Sequence, residues 1–343
     1  MRLDQIGELA LLDWIRKKAG DGGSGNKRPL LGIGDDAAAF KLAAGKTALA
    51  SSDMMVEGVH FDLAYFTPYQ LGFKIVSVNA SDIYAMGGVP LMAFFSLAAP
   101  PDTKAVFIKK MFEGVFDALA LYGARLSGGD LTASPPGVKK GLVLDMCVIG
   151  EAGRIVKRRG AKAGDGVYVT GPLGDSACGL ALLREIARPV ALESGGLRPG
   201  GVVRLRRGTL RWDVIRPLVA RHLMPVAKRP PGLAVPTAML DISDGLLLDV
   251  SRLCKESGVG VKIYEDRIPV SAQMRQAAPA LGLDPLELAK SGGEDYELLY
   301  TARRKDGGEK GGILIGEVIP SGRYMVDALG KMKRFKAEGY KHF

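Results

Sequence analysis

The sequence predicts two α+β domains, and three observations support that prediction. The chain has 343 residues, which is more than one hydrophobic core usually serves. Hydrophobic residues make up 47% and charged residues 24%, as in folded globular proteins. Strand-like and amphipathic segments are mixed without the regular strand-helix alternation of a doubly wound sheet. We therefore expect an N-terminal domain over residues 1–152 and a C-terminal domain over residues 153–343.

The N-terminal half predicts four short strands and three helices, with a glycine-rich loop after the first helix. Apolar spacing of about 3.6 residues predicts the helices, and short β-branched or apolar runs predict the strands. The predicted helices are Ile6–Lys18, Leu71–Met86 and Lys104–Tyr122, and the predicted strands are Leu30–Ile33, Thr47–Ser51, Leu91–Ala98 and Gly141–Ile149.

The C-terminal half begins with a strand over Val167–Thr170, followed by a glycine turn and a helix that runs through Leu183. A second helix follows the sequence DISDG, with Leu246, Val250 and Cys254 on one apolar face. The last predicted strands are Glu297–Thr301 and Gly312–Ile319. No segment repeats with a period of 20 to 50 residues, which excludes a solenoid.

Charge and cysteine content exclude several classes of protein. The net charge is +10, and much of the excess lies in one basic stretch (Arg204, Arg206, Arg207, Arg211, Arg216, Arg221, Lys228 and Arg229). Because this stretch lacks interleaved aromatic residues, we expect a solvated insertion and no nucleic-acid partner. Three cysteines and three histidines are too few and too scattered for a disulfide framework or a thiol-imidazole metal cage. We find no membrane span and no signal pattern, so we expect a cytoplasmic protein.

Aspartates beside glycine, serine or asparagine are the most informative feature. Each of them alone is an ordinary cap or turn residue. Together with the Ser51 and Ser52 hydroxyls they form a set of hard oxygen ligands, which suits Mg²⁺ bound to substrate phosphates. The aspartates are Asp35, Asp36, Asp53, Asp82, Asp130, Asp241 and Asp244. The sequence therefore predicts metal-assisted nucleotide chemistry.

Four further features have both a functional and a structural interpretation. Asn79 lies three residues before Asp82, so the two share a helix face. The tripeptide GGD at 128–130 comes after a helix and a strand, and it allows close approach to a nucleotide. The turn SGGEDYE at 291–297 delivers carboxylates before a strand and is equally typical of a solvated turn. His60 is either a substrate contact or a surface histidine.

The ordered motifs GIGDDAA, SSDMMVEGVHF, VNASDIYAMGGVP, GGDLT, RGAKAGD, DISDGLLLD and SGGEDYELLYT, with a terminal GYKHF, resemble the thiamine-monophosphate kinase family. That family belongs to the aminoimidazole-ribonucleotide-synthetase-like ATP-binding superfamily. The resemblance spans roughly residues 5–343. It implies direct, in-line transfer of the ATP γ-phosphoryl group to thiamine monophosphate with several Mg²⁺ ions. It also implies a homodimer formed by the N-terminal domain and a C-terminal α+β domain that closes the active site.

The resemblance also implies roles for individual residues. The implied metal ligands are Asp36, Ser51, Ser52, Asp53, Asp82, Asp130, Asp241 and Asp244, of which Asp53, Asp82 and Asp130 are the implied catalytic residues. The implied nucleotide contacts are Tyr122, Gly129, Asp130, Arg158 and Ser243. The implied thiamine-side contacts are His60 and Glu294.

Two positions depart from the family pattern. Leu131 stands where the family often has threonine, and Ala337 stands where an aromatic residue often precedes the terminal His-Phe pair. Phe335 or Tyr340 is an alternative source of that ring. Two other functions stay open from the sequence. One is another ATP-using enzyme of the superfamily, such as a selenophosphate synthetase or a purine-biosynthesis synthetase, and the other is a non-catalytic nucleic-acid-binding protein.

Overall fold

The structure is a computed structural model that describes residues 2, 8–19, 40, 42–135, 137, 140–186, 201–230, 232, 236–307 and 312–340. The predicted strand Leu30–Ile33 and the GIGDDAA motif with Asp35 and Asp36 lie outside the described residues. The chain divides into two compact units, unit 1 within Met1–Ile83 and Gly88–Arg154, and unit 2 within Tyr84–Gly87 and Ile155–Phe343. Both units combine helices with mixed sheets, which confirms the predicted α+β class.

Unit 1 is built on a four-stranded sheet with the order β1-β4-β2-β3. The β1/β4 and β4/β2 pairs are antiparallel, and β2 and β3 are parallel, joined by helix α3. The elements in chain order are α1 (Glu8–Ala19), β1 (Thr47–Val56), α2 (Pro68–Ala85), β2 (Val89–Ala99), α3 (Ala105–Tyr122), β3 (Arg125–Ala133) and β4 (Val143–Ala152).

Helices α2 and α3 pack closely because glycines face each other's backbone. A Cβ atom at Gly72 would lie 1.9 Å from the Met111 carbonyl oxygen, and one at Gly114 would lie 2.0 Å from that of Tyr69. Helix α2 begins earlier than predicted, at Pro68. Thr67 and Gln70 form reciprocal bonds at its start, with Gln70 Oε1 accepting from the Thr67 N–H at 3.0 Å.

One face of the unit 1 sheet is buried and the other is more exposed. The buried residues alternate along the strands, as at Phe95, Leu97, Leu144 and Met146. The Phe95 ring meets the Phe112 ring of α3 edge to face, at 5.3 Å between centroids. The buried face therefore packs on helix α3, and we call the opposite face the open face.

Unit 2 is built on a seven-stranded sheet with the order β13-β12-β9-β11-β5-β10-β8, plus a β6-β7 hairpin. Its strands are β5 (Gly166–Val169), β6 (Val202–Leu205), β7 (Gly208–Arg211), β8 (Ala238–Asp241), β9 (Gly260–Tyr264), β10 (Leu298–Ala302), β11 (Ile313–Ile319), β12 (Arg323–Val326) and β13 (Met332–Arg334). Its helices are α4 (Asp175–Ile186), α5 (Trp212–Leu223), α6 (Leu246–Ser257), α7 (Ala272–Leu281), α8 (Pro285–Ser291) and α9 (Arg304–Gly307), with a 3-10 turn at Glu265–Arg267.

The core of unit 2 lies where the central strands meet the helices. Every residue of β5, β8 and β10 is buried, and the rings of Tyr168 and Tyr300 stack with 5.3 Å between centroids. Helices α4 and α5 approach so closely that a Cβ atom at Gly179 would lie 2.1 Å from the Leu218 carbonyl oxygen. Among the described residues, no helix has the length and apolar character to span a membrane.

Two sequence expectations are corrected by these elements, and a third holds for part of its residues. Strand β1 continues to Val56, five residues beyond the predicted end at Ser51, because all ten of its residues pair with β4. The GGD tripeptide lies inside β3 and not after a strand. The basic stretch was expected to be a solvated insertion, and six of its eight cations are exposed, in the β6-β7 hairpin, in α5 and beyond it. The exceptions are Lys228 and Arg221, whose side chain is only 16% exposed.

Candidate functional site

In unit 1, strand β1 and helix α2 bring one group of predicted site residues together. The Ser51 hydroxyl donates a hydrogen bond to Asp82 Oδ2. The backbone N–H of Asp53 donates to Asn79 Oδ1 at 3.1 Å. Ser51 and Asp53 are two positions apart on a strand and therefore project from the same face. The shared helix face predicted for Asn79 and Asp82 is the face that meets this strand.

Asn79 acts as a structural link between β1 and α2. It is fully buried, and its Nδ2 donates to the Ile75 carbonyl oxygen at 2.9 Å, one helical turn earlier. That bond orients the side-chain amide, so that Oδ1 is presented to the Asp53 backbone. The buried amide thus fixes the position of Asp53 relative to the helix.

A second group of oxygen atoms lies on the open face. Ser52 projects opposite to Ser51, and its hydroxyl donates to Asp145 Oδ1 at 3.2 Å. Across the sheet, Asp145 pairs with Ser96, and Ser96 pairs with Asp130. Residues paired across strands project from the same face, so the two aspartates flank Ser96 on the open face. Asp145 is not among the site residues predicted from the sequence, although a carboxylate in the apolar run LVLDMCVIG is a usable signal.

Asp53 and Asp130 are not brought together within unit 1. They lie on β1 and β3, the two edge strands of the four-stranded sheet. Three strand spacings of about 4.8 Å separate those edges, or roughly 14 Å. No single Mg²⁺, with ligand distances of about 2.1 Å, can bind both carboxylates of one sheet in that arrangement.

Glycine is required at position 129 for steric reasons. Gly129 has φ 153°, and a Cβ atom there would lie 1.9 Å from the Phe95 carbonyl oxygen. The backbone conformation at Gly129 would therefore direct a side chain into β2, just before Asp130. The Asp130 side chain itself is exposed.

Tyr122 and His60 occupy different environments in unit 1. Tyr122 is buried at the end of α3, and its hydroxyl donates to Ser77 Oγ at 2.9 Å. His60 lies in the turn after β1, where its Nδ1 accepts from the Val56 N–H at 3.0 Å. This bond places the proton of the neutral imidazole on Nε2.

In unit 2, the DISDG turn connects β8 to α6 and contains three predicted site residues. Asp241 ends the strand and is buried, and Ser243 and Asp244 follow in the turn. Asp249, in the first turn of α6, accepts from the N–H groups of Asp244 and Gly245, both at 3.1 Å. Burial raises the pKa of Asp249 to about 6. This supporting role of Asp249 was not predicted from the sequence.

Arg252 provides positive charge beside the same turn. Its Nη1 lies 2.6 Å from Asp244 Oδ2 and 2.7 Å from Asp249 Oδ1. A guanidinium shared by two carboxylates offsets their mutual repulsion. Arg252 was not predicted as a site residue, although it lies on the α6 surface one helical turn after Asp249.

The 291–297 turn is joined to the DISDG turn through its backbone. The Glu294 N–H donates to the Ser243 carbonyl oxygen at 2.7 Å, and the Tyr296 N–H donates to that of Ile242 at 3.0 Å. Glu294 and Tyr296 have φ of 63° and 51°, a region that residues other than glycine seldom adopt. A Cβ atom at Gly293 would lie 2.6 Å from the Ser243 carbonyl oxygen, so glycine permits this contact.

The three acidic residues of this turn have different environments. Asp295 is fully buried and accepts from the N–H groups of Gly174 at 2.6 Å and Ser176 at 3.1 Å, before and in the first turn of α4. Burial, which outweighs these bonds, raises the pKa of Asp295 to about 7. Only Glu294 keeps a partly exposed carboxylate, and its Oε2 lies 3.2 Å from Nδ1 of the buried His222.

Glu297 is fully buried and is compensated by three partners. The Thr170 hydroxyl donates to it at 2.6 Å, Arg221 Nη2 at 2.7 Å, and Lys228 Nζ lies at 3.5 Å. Two cations of the basic stretch therefore neutralise a buried carboxylate. This contact is the physical reason why Arg221 is not a solvated residue, since an unpaired buried charge is costly.

Arg158 lies in an exposed segment close to the C-terminal end of α6. Its carbonyl oxygen accepts from the Ser257 hydroxyl at 3.4 Å, and the same hydroxyl accepts from the Gly160 N–H at 3.1 Å. Gly160 has φ 128°, and a Cβ atom there would lie 2.5 Å from the Thr237 carbonyl oxygen. The backbone of this segment is therefore fixed while the Arg158 side chain is exposed to solvent.

The oxygen ligands present fit Mg²⁺ by their chemistry. Hydroxyl and carboxylate oxygens are the ligands Mg²⁺ prefers, and it retains waters or phosphates at its other positions. Burial raises the pKa of the nearby Cys147 thiol, and Mg²⁺, as a hard cation, prefers oxygen to sulfur ligands. Within the described ranges, no three His, Cys, Asp or Glu side chains form a complete metal cage. A metal held here therefore needs the other ligands that Mg²⁺ takes from water and substrate.

Both halves of the chain are similar to known proteins in sequence, and the whole chain is similar to a solved structure. Residues 34–152 match the family model for the N-terminal domain of AIR synthase related proteins, and residues 162–324 match the model for the C-terminal domain. The thiamine-monophosphate kinase of Aquifex aeolicus is 33% identical over 100% of both chains, and that of Bacillus subtilis is 36% identical over 80% of this chain and 78% of its own. The structure of AaThiL complexed with AMPPCP and TMP matches with a TM-score of 0.74 and 32% identity, over 100% of this chain and 99% of its own.

Proposed function

This chain belongs to the thiamine-monophosphate kinase family of AIR synthase related proteins, and on that basis we propose that it phosphorylates thiamine monophosphate with ATP, giving thiamine diphosphate and ADP. The observation that carries the proposal is the match to a kinase of that name over the full length of both chains. The match favours this activity over the two alternatives that the sequence left open. The +10 charge then serves anionic substrates, with no nucleic-acid partner required.

The proposed acceptor needs little chemical activation. A phosphate monoester is already ionised at neutral pH, so no dedicated general base is required. Catalysis then depends on holding two anions in line and on neutralising charge as the phosphoryl group moves. The proposed reaction is therefore a direct in-line transfer. The residues that position the two substrates should be held rigidly by hydrogen bonds, as the backbone of Asp53 is by Asn79.

Mg²⁺ supplies the positive charge that offsets phosphate repulsion when it is bound. In unit 1, the residues that would hold it are Ser51, Asp53 and Asp82 on one face, and Ser52 and Asp130 on the other. In unit 2 they are Asp241 and Asp244. The Asn79 and Asp249 contacts keep the backbone near these ligands in place. Asp36 completes the proposed set and lies outside the described residues.

The nucleotide and thiamine contacts follow from the family pattern. Gly129 leaves open backbone beside Asp130, Ser243 lies in the DISDG turn, and the exposed Arg158 guanidinium suits a phosphate group. Tyr122 belongs to the same proposed set, and its hydroxyl is bound to Ser77.

For the thiamine side we propose His60 and Glu294. The His60 ring is fixed by the Val56 N–H, and the Glu294 carboxylate can accept hydrogen bonds from an amine-bearing ring or face a cationic one. Because Glu294 is bonded to Ser243 through its backbone, the proposed thiamine and nucleotide contacts of unit 2 are mechanically joined.

We also propose a homodimer formed through the open face and edges of the unit 1 sheet. Met54 and Val89 are 53% and 50% exposed there, and β1 and β3 are edge strands. The distance between Asp53 and Asp130 supports this proposal, because a second copy offers a way to bring the β1 edge of one sheet near the β3 edge of the other.

We propose a cytoplasmic location for the protein, because the cytoplasm supplies the ATP that the reaction consumes.

The proposal is tested by incubating the purified chain with ATP, Mg²⁺ and thiamine monophosphate and identifying the product by chromatography. Free thiamine and selenide serve as alternative acceptors. Thiamine diphosphate and ADP formed only with thiamine monophosphate support the proposal, and product from another acceptor contradicts it.

The D53N and D130N variants test the proposed metal ligands. Each removes one carboxylate charge, so turnover should fall at least about 100-fold. Unfolding midpoints should be unchanged, because neither change alters side-chain volume. Near-normal turnover in both variants would exclude these residues as metal ligands.

A further inference from the structure

Glu294 is in contact with a buried histidine of helix α5. His222 is 2% exposed, and its Nδ1 lies 3.2 Å from Glu294 Oε2 and 3.1 Å from Ser176 Oγ. An ionised carboxylate only accepts hydrogen bonds, so the neutral imidazole donates to Glu294 in the tautomer that carries its proton on Nδ1. The Ser176 hydroxyl lies within reach of the same nitrogen.

The same contacts join Glu294 to the start of helix α4. The Ser176 N–H donates to Asp295 Oδ1 at 3.1 Å, and Asp295 is the residue next to Glu294. The Glu294 N–H donates to the Ser243 carbonyl oxygen. The backbone of Glu294 is thus fixed on both sides, and the His222 imidazole lies beside its carboxylate.

We propose that His222 and Ser176 are positioning residues that orient the Glu294 carboxylate toward the thiamine side of the substrate. This inference rests on the proposed function, because the orientation of Glu294 matters for affinity only if Glu294 contacts thiamine monophosphate. A glutamate has three side-chain torsions, and a fixed hydrogen-bond donor removes that freedom before the substrate binds. His222 therefore acts on substrate affinity through Glu294 and does not touch the reacting atoms.

The test compares H222L, which removes the donor but keeps an apolar side chain in the buried site, with H222N, whose amide nitrogen stands near the position of Nδ1. We expect H222L to raise the KM for thiamine monophosphate about tenfold, with kcat and the KM for ATP within about twofold of wild type. H222N should recover most of that loss. S176A should raise the same KM about threefold.

A double-mutant cycle separates positioning from a general packing role. If His222 acts through Glu294, the H222L/E294Q double variant should have the same KM as E294Q alone. Additive effects, or equal KM changes in H222L and H222N, would overturn the proposal. If H222L does not fold, S176A carries the test, and an unchanged KM for thiamine monophosphate in S176A overturns the proposal.

A measurement without turnover keeps the inference distinct from the proposed function. The chain has three histidines, so the imidazole ¹⁵N signals of His222 can be assigned by their loss in H222N. The wild-type protein should show the proton on Nδ1, and E294Q should shift that signal. A wild-type chain without kinase activity but with this signature refutes the proposed function alone, and a proton found only on Nε2 refutes the positioning contact.

Discussion

Replacing Gly129 by alanine should destabilise unit 1 by a steric contact between strands. The added Cβ atom would lie 1.9 Å from the Phe95 carbonyl oxygen, while ordinary contact begins at 3.4 Å, so about 1.5 Å of separation is needed. The φ of 153° adds a backbone cost of about 1–3 kcal/mol, and overpacking adds about 1–3 kcal/mol more. We therefore expect G129A to lower the free energy of unfolding by about 4 kcal/mol.

The matched control is G208A. Gly208 has φ 151°, and a Cβ atom there would meet nothing within 4 Å, so only the backbone cost remains. Urea unfolding followed by tryptophan fluorescence measures both, with Trp14 reporting on unit 1 and Trp212 on unit 2, each in a variant that lacks the other tryptophan. If G129A loses no more unfolding free energy relative to its parent than G208A does, the contact with the Phe95 carbonyl oxygen is not what requires glycine at position 129.

Three further predictions concern charge and association. The pKa of Asp295 is raised to about 7 in the folded chain, while in the unfolded chain it keeps its ordinary value near 4. Between these two pH values the unfolded state is favoured because its carboxyl can ionise. The free energy of unfolding should therefore fall by on the order of 4 kcal/mol as pH rises from about 4 to about 7. D295N should flatten that slope in urea unfolding, and an unchanged slope would refute it. R221A should leave Glu297 buried without its 2.7 Å partner and cost about 3–5 kcal/mol, while R216A, at an exposed position of the same helix, should cost under about 0.5 kcal/mol. M54E should place a charge on the open face and halve the mass measured by light scattering, and an unchanged mass would exclude that face as the dimer interface.

Local pattern was sufficient for much of the fold. The two long helices of unit 1 followed from apolar spacing, and α6 followed from the leucines after DISDG, because one helix face must be buried whatever it packs against. The ends of elements were less predictable. Strand β1 extends through Ser51, Ser52 and Asp53 because β4 pairs along all of it, and strand propensity is set largely by such neighbours.

The chemistry of the site was also readable from residue types. Scattered aspartates and serine hydroxyls indicate hard oxygen ligands in any arrangement, and their order along the chain identified the family. Which atoms meet could not be inferred in this way. Ser51 and Ser52 are adjacent in sequence, yet their hydroxyls project from opposite faces and bond to Asp82 and Asp145.

In the acidic turn at 291–297, the presence of charge follows from local sequence, and the burial of each charge depends on the folded chain. The sequence established that three carboxylates follow a pair of glycines, which is enough to predict a turn rich in charge. It did not distinguish Glu294, in contact with His222, from Asp295 and Glu297, which are buried. That division depends on the start of α4 and on Arg221, more than 70 residues away in sequence. The free energy of a buried carboxylate depends on partners that the chain supplies only after folding.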